Sequence, residues 1–164
     1  ADRREPREEQ AVDLPEHRML MLDAESWVVC MPRDHRLAER SEVSITELLD
    51  DPIVCAPLTA GPWRDYWLAM DVRGNRPPTI AAVAAAYEAE TTCIARGLGI
   101  SFTSSSVARF YDRPGIVYVP ITDRPPSYTA LAWKPSALSP QADALVRHVQ
   151  SHWNFGETPP PDAD

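Results

Sequence analysis

Short apolar runs alternate with helix-like segments along most of this chain, and that alternation is what most constrains its fold. The run at 26–31 contains two valines and is ended by Pro32, which is typical of a buried strand. Further strand-like runs lie at 52–56, 79–84, 98–103, 116–121 and 128–133. Strands alternating with helices predict an α/β fold with a largely parallel sheet, although the last two strands, joined by a short Pro-rich turn, can run differently.

Helix boundaries are marked by local signals. Ser44 opens a capping box, because a glutamate follows three residues later. Pro62 suits the first position of a helix, and Ser139 suits the residue that precedes one. Gly97 supplies the left-handed residue that ends a helix over 88–96. These signals place loops directly after several of the predicted strands.

The helix that begins at Pro62 carries large side chains at helical spacing. Trp63, Tyr66, Trp67 and Met70 stand at positions i, i+3, i+4 and i+7. This spacing predicts one apolar helix face, with both tryptophans packed against the sheet.

Charge and cysteine content limit the partners and the compartment. Sixteen basic residues against 24 acidic ones give a net charge of −8, which repels nucleic-acid phosphates. No apolar run approaches the roughly 18 residues of a membrane span, and the charged first ten residues lack the core of a signal peptide. Cys30, Cys55 and Cys93 form an odd set within apolar runs, which favours reduced thiols in the cytoplasm.

Several motifs invite a catalytic or metal-binding interpretation. The 97–99 stretch, Gly-Leu-Gly, follows a helix instead of a strand, so it is not a dinucleotide fingerprint. His148 and His152 share one helix side, but two solvent-facing histidines are the simpler interpretation. No G-x-S-x-G elbow surrounds Ser101, and the serines at 104–106 are better explained by local backbone capping. We therefore expect no enzyme, no cofactor and no metal.

One strand-to-helix loop is a better candidate for ligand binding. In open α/β sheets, ligands bind beyond the carboxyl ends of strands, where helix N-termini present free N–H groups. Such a loop suits an anion, and an arginine near it can add a charge-assisted contact. An ordinary connector with its tryptophans in the core is an equally open interpretation. The candidates are Pro57, Thr59, Ala60, Gly61 and Arg64, with Ala85 and Ala86 at the next strand end as weaker ones.

The order of these segments resembles the effector-binding domain of LysR-type transcription regulators. The stretch at 27–38 is similar to the family's strand that ends in Pro and is followed by Asp-His-Pro-Leu-Ala, with Arg36 in place of that second Pro. The stretch at 94–100 resembles its Val-Ala-Ala-Gly-Leu-Gly-Ile turn. Thr103 and Ser104 stand where Leu-Pro usually follows, so no ligand role is assigned to that loop. Further similar stretches lie at 44–54, 114–121 and 131–134.

The resemblance implies a type 2 periplasmic-binding-protein-like fold, in which two α/β lobes are joined by crossing strands. It assigns one complete lobe with a mostly parallel sheet, the effector-binding lobe, to 25–121. Residues 122–155 are the return to a partial second lobe and its C-terminal helix. Residues 1–24 are a charged arm with a remnant of that lobe, and 156–164 are a disordered tail.

The same resemblance implies that the chain senses a small anionic effector, which shifts the conformation of a DNA-bound homo-oligomer, a dimer or a tetramer. Contact with DNA is expected only through an N-terminal winged helix-turn-helix that this sequence lacks, and no membrane contact is expected. The alternatives are a solute-binding protein of a transporter and an enzyme on the same fold. The lack of a signal peptide counts against the first, and the lack of an acid–base or nucleophile set counts against the second.

Overall fold

The computed structural model describes residues 16–153, which fall into two compact units. Within the described residues, unit 1 comprises 16–24 and 128–153, and unit 2 comprises 25–127. The expected tail at 156–164 and nearly all of the expected N-terminal arm lie outside the described residues. The strands are β1 (Arg18–Glu25), β2 (Trp27–Pro32), β3 (Ile53–Cys55), β4 (Ile80–Val83), β5 (Ser101–Ser104), β6 (Ile116–Pro120) and β7 (Ser127–Trp133).

The sheet of unit 2 is built around β2, and every residue of that strand is buried. β2 pairs antiparallel with β5 on one side and with β6 on the other. β3 pairs parallel with β4, and a parallel bridge between Ile53 and Ile100 sets β3 beside β5. Thus β3, β4, β5 and β6 share one direction, and β2 alone opposes them. The predicted α/β class is confirmed, and every predicted strand run contains a strand.

The core of unit 2 lies on both faces of this sheet, because side chains of a strand alternate between faces. Val29 and Met31 belong to the larger cluster, together with the buried Leu48 and Leu68. Cys30 points to the opposite face of the sheet, where it belongs to a second buried cluster that also contains Ile94. Two-sided burial explains why β2 reads as a continuous apolar run.

The predicted helix signals are confirmed at four places. The Ser44 capping box is present, although it opens a single 3₁₀ turn. Pro62 occupies the first turn of its helix, and Gly97, with φ of 77°, follows the end of the next. Ser139 Oγ accepts from the Ala142 amide at 3.2 Å. The α-helices are α1 (Pro62–Trp67), α2 (Tyr87–Ala95), α3 (Ser105–Phe110) and α4 (Pro140–His152), and 3₁₀ turns lie at Ile45–Glu47, Leu58–Ala60, Met70–Val72 and Pro135–Ala137.

The predicted four-residue apolar face of the helix at Pro62 is wrong. α1 ends at Trp67, and Ala69 follows in the left-handed conformation with φ of 53°. That turn sends Leu68 and Ala69 into the core, while Met70 remains exposed. Trp63 is 60% exposed, so only Tyr66 and Trp67 pack against the larger cluster.

Unit 1 contains the two-stranded sheet of β1 and β7 and the helix α4. Trp153 Nε1 donates to the Leu22 carbonyl at 2.6 Å, which ties the end of α4 to β1. Lys134 pairs with Glu16. Between residues 16 and 153, no helix has the length and apolar character needed to cross a membrane.

Candidate functional site

The structure brings the two predicted ligand loops to one edge of the sheet. β3 and β4 are parallel neighbours, and Cys55 at the end of β3 is paired with Val83 at the end of β4. The Ala84 amide donates to the Cys55 carbonyl at 2.9 Å. The loop at 57–61 and the residues Ala85 and Ala86 therefore leave adjacent strands at the same edge.

The loop at 57–61 is a compact 3₁₀ turn. The Ala60 amide donates to the Pro57 carbonyl at 3.0 Å, and the Gly61 amide donates to the Leu58 carbonyl at 3.1 Å. The first amides of a helical turn have no acceptor within it, and here they belong to Leu58 and the exposed Thr59. Gly61 has φ of 56°, a conformation that favours glycine. The turn thus has two N–H groups without an acceptor inside it and an exposed threonine side chain.

Arg64 is oriented back onto this loop. Its Nε donates to the Ala56 carbonyl at 2.9 Å, and its Nη1 lies 3.9 Å from Asp65 Oδ1. The side chain is 14% exposed, so Arg64 holds α1 against the end of β3 and places its positive charge beside the turn. The positive charge of Arg64 therefore lies near the loop, as the sequence predicts. The hydrogen bond to Ala56 also gives Arg64 a role in holding the loop and α1 together.

The N-terminus of α1 is a weaker anion site than the sequence indicates. Pro62 has no N–H, and the amides of Arg64 and Asp65 both donate to the Gly61 carbonyl. This leaves the Trp63 amide as the free donor of a six-residue helix. The positive potential of the loop therefore depends on the 3₁₀ turn and on Arg64.

The N-terminus of α2 supplies a second set of donors at the same edge. Ala86 is its N-cap residue, and an alanine side chain cannot accept a hydrogen bond from the first amides. The amides of Ala89 and Glu90 donate to the Ala86 carbonyl, which leaves those of Tyr87 and Glu88 without an intrahelical acceptor. Ala85 and Ala86 are exposed, so nothing bulky on these two residues covers the helix end.

A third helix N-terminus, that of α3, is occupied by the protein itself. The Ser106 amide donates to Glu25 Oε2 at 2.8 Å. Burial raises the pKa of the Glu25 carboxyl, but hydrogen bonds from Ser106 and Ser104 more than offset this, and its pKa lies below the ordinary value. Ser104 makes no side-chain cap, so the expectation of local capping by that serine is wrong. Sequence spacing could not reveal a carboxylate that lies 81 positions away.

Two further depressions of unit 2 lie beside α2 and the segment 110–115. One of about 420 Å³ is lined by Arg33, Asp112, Arg113, Pro114 and Gly115. Another of about 210 Å³ adjoins it through Arg113 and is also lined by Thr91, Phe110 and Glu88, so it reaches the first turn of α2. Arg113 Nη1 donates to Thr91 Oγ1 at 2.6 Å, so this guanidinium already has a protein partner.

The sequence candidates for metal binding and catalysis, His148, His152 and Ser101, lie in α4 and β5. Across 16–153, no group of three or more His, Cys, Asp or Glu side chains is arranged to hold a metal ion. The His148 and His152 rings stack at 4.2 Å on exposed positions of α4. Ser101 is buried in β5, which does not suit an accessible nucleophile.

Comparison with known proteins connects this arrangement to one family. Residues 6–154 match the model of the LysR substrate binding domain. The Hca operon transcriptional activator HcaR of Escherichia coli (strain K12) is 29% identical over 143 residues, which are 83% of this chain and 46% of HcaR. The chain thus spans about half the length of that relative.

Solved structures show the same fold. Full-length BenM superposes with a TM-score of 0.70 at 21% identity, covering 91% of this chain and 51% of BenM. The effector-binding domain of QuiR in complex with shikimate gives 0.66 at 20% identity, covering 88% of this chain and 70% of that domain. These likenesses confirm the predicted type 2 periplasmic-binding-protein-like class, and, with the family match over nearly all of its length, the chain belongs to the LysR substrate binding domain family.

Proposed function

We propose that this chain is the effector-sensing part of a cytoplasmic LysR-type transcription regulator, and that a small anion binds at the edge formed by the 57–61 turn and residues 84–86. The observation that carries this proposal is the convergence of two strand-end loops whose leading amides lack intrahelical acceptors. Such amides stabilise negative charge, and the Arg64 guanidinium lies beside one of the loops.

The surroundings of the turn favour an anion that has an apolar body. Leu58, within the turn, is 81% exposed, and Trp63, two residues after the turn, is 60% exposed. Exposed apolar side chains beside polar donors provide contact area for the apolar part of a ligand. A small carboxylic acid with a ring would accept from the amides through its carboxylate and cover these side chains with its body.

The role of such binding is sensing, not turnover. A ligand that prefers one arrangement of the protein shifts its population, and attached DNA-binding parts can respond. The acidic balance of −8 supports a division of labour in which another part of a longer protein contacts DNA. HcaR is a transcriptional activator, which supports the same assignment. The proposal includes assembly of the whole regulator into a homo-oligomer.

The first test is a titration of the ¹⁵N-labelled chain with shikimate, the ligand of the QuiR domain, followed by other ring carboxylates. Each acid is compared with its neutral methyl ester. We expect acids, and not esters, to shift the amide resonances of 57–61 and 84–88. Shifts confined to the depression around Arg33 and Arg113 would overturn the placement of the site.

A charge substitution separates binding from folding. Ala86→Asp places a carboxylate at the N-cap of α2, where it should cap the helix and stabilise it by about 1 kcal/mol. The same carboxylate should take the donors that we assign to the ligand, so acid binding should weaken by about tenfold or more. Ala137→Asp, at an exposed alanine of unit 1, is the matched control, and it should bind as the unsubstituted chain does. Unchanged binding in Ala86→Asp would refute the proposal.

A further inference from the structure

The chain leaves unit 2 at two points, and the residues beside both points are anchored inside unit 2. The boundaries fall after Ala24 and after Ser127. Beside the first, Glu25 accepts from the α3 amide described above. Beside the second, Asp123 accepts from the Ile45 amide at 2.8 Å and from Ser44 Oγ at 2.5 Å. These hydrogen bonds hold the chain beside the first boundary to the start of α3, and the chain before the second boundary to the start of the 3₁₀ turn at Ile45–Glu47.

Arg124, next to Asp123, makes the most extensive of these contacts. Its Nη1 and Nη2 donate to the two carboxylate oxygens of Asp71 at 2.6 and 3.1 Å. Its Cζ lies 4.6 Å from the centroid of the Trp27 ring, a cation–π distance. The side chain is 3% exposed. Arg124 is therefore fixed to Trp27, the first residue of β2, and to Asp71, in the 3₁₀ turn that follows α1.

The Trp27 ring connects this arginine to the helix that follows the ligand turn. Trp27 Nε1 donates to the Tyr66 hydroxyl at 3.2 Å. The centroid of its ring lies 4.9 Å from that of Tyr66 and 4.8 Å from that of Trp67. Both of these residues belong to α1, whose first turn begins directly after Gly61. Because α1 follows the 57–61 turn directly, we expect a displacement of the turn to be transmitted to α1, which contacts the same ring that Arg124 touches.

Packing alone does not account for an arginine here. The Arg124 Nε is buried and has no hydrogen-bond partner among the described residues. A buried donor without an acceptor costs free energy that an apolar side chain of similar size would not incur. The position is better explained by the guanidinium group, which donates to both carboxylate oxygens of Asp71 while its Cζ lies over the Trp27 ring.

We infer that Arg124 is a positioning residue that couples the 57–61 turn to the segment 121–127, through Trp27 and Asp71. That the 57–61 turn is the sensing element rests on the proposed function. The coupling between this turn and the segment 121–127 does not depend on it. The amides of Ile121 and Thr122 report that segment directly, because they donate to the carbonyls of Trp27 and Val43 at 2.9 and 3.2 Å.

The test is a double-mutant cycle read by amide hydrogen exchange in the 164-residue chain, and it needs no ligand. Gly61→Ala strains the turn through φ of 56° alone, since no atom lies within 4 Å of the added Cβ. We expect it to accelerate exchange at 121–122 by about tenfold. In an Arg124→Ala background the same substitution should add no acceleration. Gly97→Ala, with φ of 77° and equally open space, is the matched control and should leave 121–122 unchanged.

Equal acceleration by Gly61→Ala in both backgrounds, or none when Arg124 is present, would overturn the inference. Should Arg124→Ala fail to fold, Asp71→Asn and Arg124→Lys replace it, and Arg124→Lys should retain part of the coupling because it keeps the charge and loses the fork. A failed ligand titration with an intact exchange cycle would count against the proposed function alone.

Discussion

The two tryptophans of α1 provide a direct test of how this unit is packed. Trp67 packs against the larger core cluster, with ring centroids 4.8 Å from Trp27 and 5.0 Å from Tyr66. Truncating a core tryptophan to alanine costs about 3–5 kcal/mol, and because Trp67 is only partly buried we expect about 3 kcal/mol. Trp63 is 60% exposed, so Trp63→Ala should cost less than about 1 kcal/mol.

These values translate into well-separated melting temperatures. For a unit of this size, 1 kcal/mol corresponds to about 4–8 °C, so Trp67→Ala should lower the Tm by about 12 °C or more and Trp63→Ala by only a few degrees. Far-UV circular dichroism is the appropriate readout, because both substitutions remove a fluorophore. Trp67→Phe should lie between them, since it keeps part of the ring packing. Equal Tm values for the two alanine variants would mean that the helix face is assigned incorrectly.

Four further outcomes follow from other parts of the structure. Gly99→Ala should destabilise the chain by about 3 kcal/mol or more, because its Cβ would lie 2.4 Å from the Pro52 carbonyl oxygen; failure to lower the urea midpoint would contradict that contact. Burial raises the pKa of the Glu90 carboxyl, so its ionised form opposes folding, and Glu90→Gln should raise the Tm at pH 7, with the gain shrinking as the pH falls toward the ordinary range of a glutamate. A pH-independent gain would point to another cause. Ser44→Ala should cost about 1 kcal/mol or more in chemical denaturation, whereas Ser44→Thr, which keeps the hydroxyl that accepts at the cap and donates to Asp123, should restore most of it; equal stability of all three chains would argue against the cap. In gel-shift experiments at low salt, the chain should not retain duplex DNA at micromolar concentration, because its net charge is −8.

Features that depend on neighbours in sequence were predictable. The Ser44 capping box, Pro62 at a helix start and Gly97 after a helix end each act through backbone groups a few residues away. The strand runs were predictable for a related reason, since a strand buried on both faces must be apolar throughout. The position of the 57–61 turn after β3 follows from the same local signals.

Features that depend on distant pairing were not predictable. The opposite direction of β2 is set by which strands flank it, and no residue within Trp27–Pro32 encodes that choice. Trp63 was expected in the core because helical spacing extends to Met70, whereas the left-handed Ala69 ends the helix earlier. The contact of Glu25 with Ser106 joins residues that only the tertiary fold brings together.

The central place of β2 also governs the order in which unit 2 can assemble. β2 is the first strand of the unit along the chain, yet its partners β5 and β6 are the last two. Closing such long loops is entropically costly, and topologies rich in distant contacts fold slowly. During synthesis, the apolar segment from Trp27 to Met31 must remain unpaired until residues 101–120 have emerged. That segment is the part of the nascent chain most in need of protection from aggregation, by a chaperone or by transient collapse onto its neighbours.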